Sequence, residues 1–241
     1  MTNLPAYFVS DAHLGIEPDG AVPYREERLI EWLGTLRGAC SHLVILGDLF
    51  EFWYEYKYYI ARHHFALYRA FADLMDSGVQ VDYLRGNHDF ALETFFPELG
   101  IRTGKELVLE IQGRRTLLTH GDGLPASDKG YRFFRKVLDF PFHRKLFRWI
   151  HPDLGMSIAR FVGRHSRRIG SEREIQIEEY LEAANRKMKE HRCDLLIHGH
   201  HHLQGIWDVE QGQVAACGNW LFSLDYIEMQ NGTVSLHTLE P

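Results

Sequence analysis

Apolar and polar positions along the chain repeat one unit several times. A short apolar run ends in polar residues, and a longer stretch with helical spacing follows. "AYFVSD" (6–11) is the first run, with helical periodicity behind it over 24–37. "HLVILGD" (42–48) is the second, followed by a helical stretch from about Tyr58 to Ser77, and "VQVDYLRGNHD" (79–89) is the third. Short apolar runs bounded by turn residues read as buried strands. Strands alternating with helices predict an α/β sheet that keeps its ligands at the carboxyl ends of the strands.

After residue 106 the rhythm changes. "LVLEIQGRRTLLTHGD" (107–122) reads as a hairpin turning at Gln112-Gly113, and its second strand again ends in polar residues. Residues 128–170 lose strand alternation and hold helical runs broken by Pro141, Pro152 and Gly155. They predict a helical insertion, about residues 125–170, within one domain spanning 1–241. A charged amphipathic helix is predicted over 171–191, with Ser171 as N-cap and Glu174 three positions on. "CDLLIHG" returns to strand. "GIWDVEQGQVAACGNW" and "LDYIEMQNGTVSLHTL" read as two hairpins, the second on an Asn-Gly turn.

Composition narrows the class. The 241 residues are 45% hydrophobic and 25% charged, ordinary values for a globular protein. "MTNLPAYFVSD" lacks the basic and apolar regions of a secretory signal, and no apolar run approaches the roughly 20 residues a bilayer needs. Cys40, Cys193 and Cys217 form an odd set without metal-type spacing, as in a reducing compartment. A cytoplasmic protein is expected. The net charge is −6, yet twelve basic residues lie between Lys129 and Arg173 against Asp139, Asp153 and Glu172. One basic segment on an acidic chain points to a local anionic partner rather than to nucleic acid.

Five strand ends carry residues of the metal-ligand kind: Asp11-Ala12-His13, Gly47-Asp48, Gly86-Asn87-His88-Asp89, His120-Gly121-Asp122 and Gly199-His200-His201-His202. One Gly-Asp pair is merely a turn; five such ends in succession predict a metal site. Carboxylates, imidazoles and an amide without thiolates suit Mn²⁺, Fe²⁺ or Zn²⁺ better than a structural zinc cage. Two ions need a bridging carboxylate, for which Asp48 is the natural candidate. Asp89 and Asp122 are expected to orient histidines or cap turns. His201 is expected to be exposed and His198 to be a satisfied strand residue. His63, His64, His143, His151, His191 and His237 read as ordinary surface histidines.

"DAHLG", "GDLFEFW", "GNHDF", "THGD" and "GHHH" resemble, in order, the five motifs of the calcineurin-like metallophosphoesterase superfamily. The resemblance implies a four-layer α/β/β/α sandwich and hydrolysis at two divalent ions, most simply Mn²⁺. It implies Asp11, His13, Asp48 and His202 around one ion and Asp48, Asn87, His120 and His200 around the other. His88 and Asp48 are then the residues at the reaction, with His88 near the scissile group.

The insertion mixes basic side chains with Phe133, Phe134, Phe140, Phe142, Phe147, Trp149, Met156, Ile158 and Phe161. Two readings stay open: a cap packed on the core with solvated arginines, or a cap that receives an acyl chain while arginines meet phosphates or an anionic membrane. With "DKGYRFFRK", "RHSRR" and "CGNW", nearly the whole chain is similar to the UDP-2,3-diacylglucosamine pyrophosphohydrolases of lipid A biosynthesis. That likeness implies release of UMP and 2,3-diacylglucosamine 1-phosphate. The substrate contacts would be Asn87, His88, Asp128, Tyr131, Ser166, Arg173 and His200, with peripheral membrane association. The chain departs at His88, where the best-known members carry arginine, and at Gly170, where a polar contact is expected. A generic phosphodiesterase or phosphatase acting on a nucleotide or other small phosphoester is the alternative. A non-catalytic scaffold would not need the complete ligand set.

Overall fold

The structure, a computed structural model, describes residues 4–125, 140–155, 157–158 and 176–240. Four strands run parallel in the first sheet: β1 (Ala6–Val9), β2 (His42–Ile45), β4 (Gln80–Leu84) and β6 (Arg102–Gly104). On the other side of β1 lie β12 (Asp225–Gln230), antiparallel to it, and then β13 (Thr233–Thr238). The second sheet has the order β10 (Gln204–Val209), β11 (Gly212–Cys217), β9 (Leu195–His198), β8 (Arg114–Thr119), β7 (Glu106–Ile111). Its three central strands are parallel and its two edges antiparallel. A two-stranded ribbon pairs β3 (Trp53–Tyr54) with β5 (Asp89–Ala91).

Strand alternation builds the layers, because successive side chains leave a strand on opposite faces. Phe8, Val44, Leu84 and Ile227 pack toward Leu118, Ile197, Ala215 and Cys217 of the second sheet, forming a core between the sheets. Val9, Leu43, Ile45 and Tyr83 face the other way. They meet Leu29, Trp32, Leu33 and Leu36 of α1 (Arg25–Leu36) and Leu67, Phe71 and Leu74 of α2 (Phe65–Asp76). On the far side Leu117, Leu196 and Val214 receive Ala184 and Met188 of a helix over Ile177–His191. The order is helix, sheet, sheet, helix.

The second helical stretch starts later than its periodicity predicts. A 3₁₀ turn spans Arg62–His64 and α2 begins at Phe65. The apolar stripe that packs on the sheet runs from Leu67, whereas Tyr58 and Tyr59 are exposed, so no burial offsets the entropy of ordering an earlier turn. A four-residue α3 (Phe95–Glu98) precedes β6. Of the expected insertion the structure describes α4 (Pro141–Phe147), with proline at its start where a missing N–H is no loss. Phe147 packs on Tyr54, Phe52 and Phe90 at ring separations of 4.8, 5.6 and 5.6 Å. Asp128, Tyr131, Ser166, Gly170, Ser171, Arg173 and Glu174 lie outside the described residues. The helix Ile177–His191 is α5. Among the described residues no helix is long and apolar enough to cross a membrane.

Candidate metal centre

The five polar strand ends follow β1, β2, β4, β8 and β9, so they come from two sheets and not from the single parallel sheet that the rhythm predicts. Stacking the sheets face to face brings their carboxyl rims together. The chain reverses sharply there: Asp11, His13, Asp48, His200 and His202 all have left-handed backbone, with φ between 45° and 71°. Such a conformation costs a non-glycine residue on the order of 1–3 kcal/mol and persists only where the surroundings enforce it. Here Asp11 N–H donates to the Gly47 carbonyl at 3.2 Å, His13 N–H to Asp48 at 3.0 Å and Gly199 N–H to His120 at 3.0 Å. The loops cross so closely that a Cβ at Gly47 would stand 2.6 Å from His120 Nδ1.

Among the described residues three donor groups result: Asp11, His13 and His202; Asp48, His120 and His200; and His13, Glu51 and His88. In the third, Glu51 takes the outer nitrogen of His13, so that the first two are the clusters whose donors face the centre. His202 Nε2 is 3.4 Å and His13 Nε2 3.8 Å from Asp11 Oδ1. Asp48 Oδ1 accepts the His88 backbone N–H at 2.7 Å. Its Oδ2 lies 3.3 Å from His120 Nε2 and 4.0 Å from His13 Nε2, facing both clusters. Asn87 Oδ1 and His200 Nδ1 stand 3.1 and 3.3 Å from His120 Nε2. Hydrogen bonds fix the outer nitrogens: His120 Nδ1 donates to the Leu46 carbonyl at 2.7 Å and His13 Nδ1 meets Glu51 Oε2 at 3.1 Å. Both rings therefore turn Nε2 to the centre, the orientation a metal-binding imidazole needs.

The site fits divalent ions. Asp11 Oδ2 accepts Ser10 Oγ at 2.5 Å and the His200 N–H at 2.8 Å, but the buried Oδ1 has no hydrogen-bond partner. A buried carboxylate oxygen left so needs a cation. Donors that share one ion at about 2.0–2.2 Å stand about 3–3.5 Å apart, near the spacings seen here. Charge gives the same answer. Burial pushes Asp11 and Asp48 up, yet the surrounding imidazoles outweigh it and hold both carboxyls well below the usual range. Burial pushes His13 and His120 down, and the carboxylates outweigh it, raising them to about 9 and about 10. The carboxylates thus demand positive charge at the point where the Nε2 atoms converge, which a divalent ion would supply. His200 goes the other way, to about 3, through burial and the neighbouring His120.

Asp89 fits its sequence reading, and several histidines differ from theirs. Asp89 caps a turn and ties two loops, accepting the Asp48 and Gly86 N–H groups at 2.9 Å each. Burial and the Asp48 charge raise it to about 6. His201 is half-buried rather than exposed, its ring 4.8 Å from Tyr180. His198 is buried with Nδ1 on the Gly199 carbonyl at 2.9 Å, but its Nε2 has no hydrogen-bond partner. His64 is buried and 2.6 Å from Glu26, not on the surface. Two contributors carry no role in the sequence reading. Glu51 orients His13, and its signal in the sequence is its place within "GDLFEFW", three residues after Asp48. Arg25 is buried and donates to the Ala12 and His13 carbonyls at 3.3 and 3.4 Å. An arginine in a first helical turn otherwise reads as solvated.

Known proteins place this geometry. Residues 4–204 match the model of the calcineurin-like phosphoesterase family. A UDP-2,3-diacylglucosamine hydrolase of Porphyromonas gingivalis is 30% identical over 260 residues, covering 97% of each chain. One of Aeromonas salmonicida is 33% identical, covering 88% of this chain and 85% of its own. Among solved structures, one from the structural and functional characterization of a novel archaeal phosphodiesterase superposes with a TM-score of 0.53 at 13% identity, covering 98% of this chain and all of its own. That last likeness concerns the fold. The chain is a hydrolytic enzyme and belongs to the calcineurin-like phosphoesterase family.

Proposed function

We propose that the protein hydrolyses the diphosphate of UDP-2,3-diacylglucosamine to UMP and 2,3-diacylglucosamine 1-phosphate. The observation that carries the reading is the pair of donor clusters that Asp48 faces with one oxygen. Asp11, His13, Asp48 and His202 hold one divalent ion; Asp48, Asn87, His120 and His200 hold the other. Such ions, when bound, stabilise phosphoryl charge and lower the pKa of a coordinated water. Mn²⁺ suits this donor set, with Fe²⁺ and Zn²⁺ as the other candidates. The protein's own part is to hold the donors in place and to orient the substrate. His88 Nδ1 donates to the Glu51 carbonyl at 2.6 Å, which fixes the ring and leaves Nε2 for the leaving group.

The lipid substrate is supported by relatives named UDP-2,3-diacylglucosamine hydrolase that align along most of the chain. It is also supported by the composition of the insertion, where Phe142, Leu146 and Trp149 are exposed. Asp128, Tyr131, Ser166 and Arg173 join Asn87, His88 and His200 as substrate contacts. The chain works as one domain, with residues 125–170 as its cap, in the cytoplasm and peripherally on the membrane, with no nucleic-acid partner. His88, where the best-known UDP-2,3-diacylglucosamine pyrophosphohydrolases carry arginine and generic phosphoesterases carry histidine, favours a second reading: a phosphodiesterase acting on a nucleotide or other small phosphoester. Incubation with Mn²⁺ and UDP-2,3-diacylglucosamine decides between them. UMP release supports the first reading; turnover of only a soluble diester supports the second.

A further inference from the structure

Residues 217–222 contain the "CGNW" segment and supply no donor to either cluster, yet they pass directly behind the loops of Asp11 and His202. Gly218 N–H donates to the Leu203 carbonyl at 2.8 Å, Trp220 N–H to Ser10 at 3.0 Å and Leu221 N–H to Asp11 at 3.1 Å. Between these backbone bonds the buried Asn219 uses both ends of its amide. Nδ2 donates to the His202 carbonyl at 3.4 Å and Oδ1 accepts the Phe222 N–H at 2.6 Å. Asn219 is itself anchored: its N–H donates to Asp225 Oδ2 at 3.3 Å and its carbonyl accepts the Asp225 N–H at 3.0 Å. The Trp220 indole donates to the carbonyl of Arg25 at 3.2 Å, the residue whose guanidinium holds Ala12 and His13 from the other side.

This bracket therefore fixes 10–13 and 202–203 relative to each other. Asp11, His13 and His202 are the three members of one donor cluster, and all three have the left-handed backbone that relaxes unless enforced. The other cluster is held differently. Among the described residues Asp48 is held by Asp89 and His88 and His120 by the Leu46 carbonyl, while the His200 N–H rests on Asp11 Oδ2, and Asp11 keeps its own bond to the Gly47 carbonyl whatever stands at 219. We infer that Asn219 is a positioning residue for the Asp11–His13–His202 cluster, which depends on it for its divalent ion while the Asp48–His120–His200 cluster does not. The inference rests on the two-ion reading above. A merely structural role would lower stability without distinguishing the two ions.

The test is a Mn²⁺ titration of chelator-stripped protein by calorimetry, with elemental analysis of the loaded form. Asn219→Asp keeps the acceptor for Phe222 and replaces the donor to His202 by a second oxygen. If circular dichroism shows that it does not fold, Asn219→Ser removes the same bond without adding charge. Wild type binds two ions. The variant binds one as wild type does and the other about 10–100-fold more weakly, the usual loss when a bond that orients a ligand is removed. The weakened step is the one that His202→Ala also loses. Equal weakening of both ions, or wild-type affinity for both in a folded variant, overturns the inference. Fewer than two ions on wild type overturns the two-ion reading and the inference with it.

Discussion

Gly199→Ala adds one methyl group where no atom fits. A Cβ at this position would stand 2.6 Å from Asp11 Oδ2 and 2.7 Å from Ser10 Cβ, and it would overlap Ser10 Oγ. The backbone of Gly199 is not left-handed, so alanine is conformationally acceptable and the effect is steric alone. Ordinary contact begins at 3.4 Å, so Asp11 and the 199–200 backbone must part by 3.4 − 2.6, about 0.8 Å. Overpacking of this kind costs about 1–3 kcal/mol. Displacing a group at a reacting centre by about 1 Å costs about 10²-fold in rate. Both clusters are affected, because Asp11 Oδ2 also accepts the His200 N–H. The assay is kcat/KM on a chromogenic phosphodiester with Mn²⁺, beside Tm. The control is Gly34→Ala, on the exposed face of α1 with nothing within 4 Å. It should gain roughly 0.5–1 kcal/mol with unchanged turnover. A Gly199→Ala enzyme with wild-type rate and Tm would refute the reasoning.

Asp48→Ala removes the carboxylate that faces both clusters, so elemental analysis should find at least one ion lost and turnover abolished; two retained ions with normal turnover would contradict the bridging role. His88→Arg should keep much of the activity on UDP-2,3-diacylglucosamine, whose leaving phosphate has a second pKa of about 6 and needs little protonation. On a diester with an alkoxide leaving group the same change should cost about 10²–10⁴-fold, since arginine releases no proton. Equal collapse of kcat/KM on both substrates would favour the small-phosphoester reading. Away from the centre, burial pushes the Asp82 carboxyl up, but His42 and Arg102 outweigh it and hold the group below the usual value. Its contribution to stability is therefore present above the unfolded carboxylate pKa of about 3.9 and lost as pH falls through the lower folded value. Asp82→Asn should be less stable at neutral pH and lose less on acidification; parallel acid-unfolding curves would rule this out.

Local signals made the strands and their polar ends legible. "HLVILGD" and "CDLLIHG" are short, apolar and sharply bounded, and they became β2 and β9 with their polar termini at one rim. Which strands share a sheet was not legible. The run at 114–119 has the same local pattern whether it extends the first sheet or founds a second. That choice is made by Leu118 and Ile197 packing against Phe8 and Val44, contacts between residues far apart in sequence. The site shows the same division. The motifs named the donors that the rims bring together, while the residues that orient them left weaker traces. Arg25 and His64 are polar in sequence and buried in the fold because their partners, Ala12 and Glu26, arrive from other segments. His201 read as exposed because nothing near it in sequence announces the Tyr180 ring.

The pairing of β1 with β12 bears on the order of folding. Phe8 aligns with Ile227, and His200 N–H reaches Asp11 across 189 positions. Closing loops of that length is slow, so contacts of such separation form late in folding. Each donor cluster joins residues from distant parts of the chain: Asp11 with His202, Asp48 with His200. During synthesis, therefore, neither cluster exists until β9 has emerged and docked. Before then the nascent chain holds at most the His13, Glu51 and His88 group, and the Asp11 and Asp48 clusters lack their His202 and His200 donors. The full donor sets of the two clusters are thus a property of the folded protein alone, and a chain stalled before β9 docks has neither.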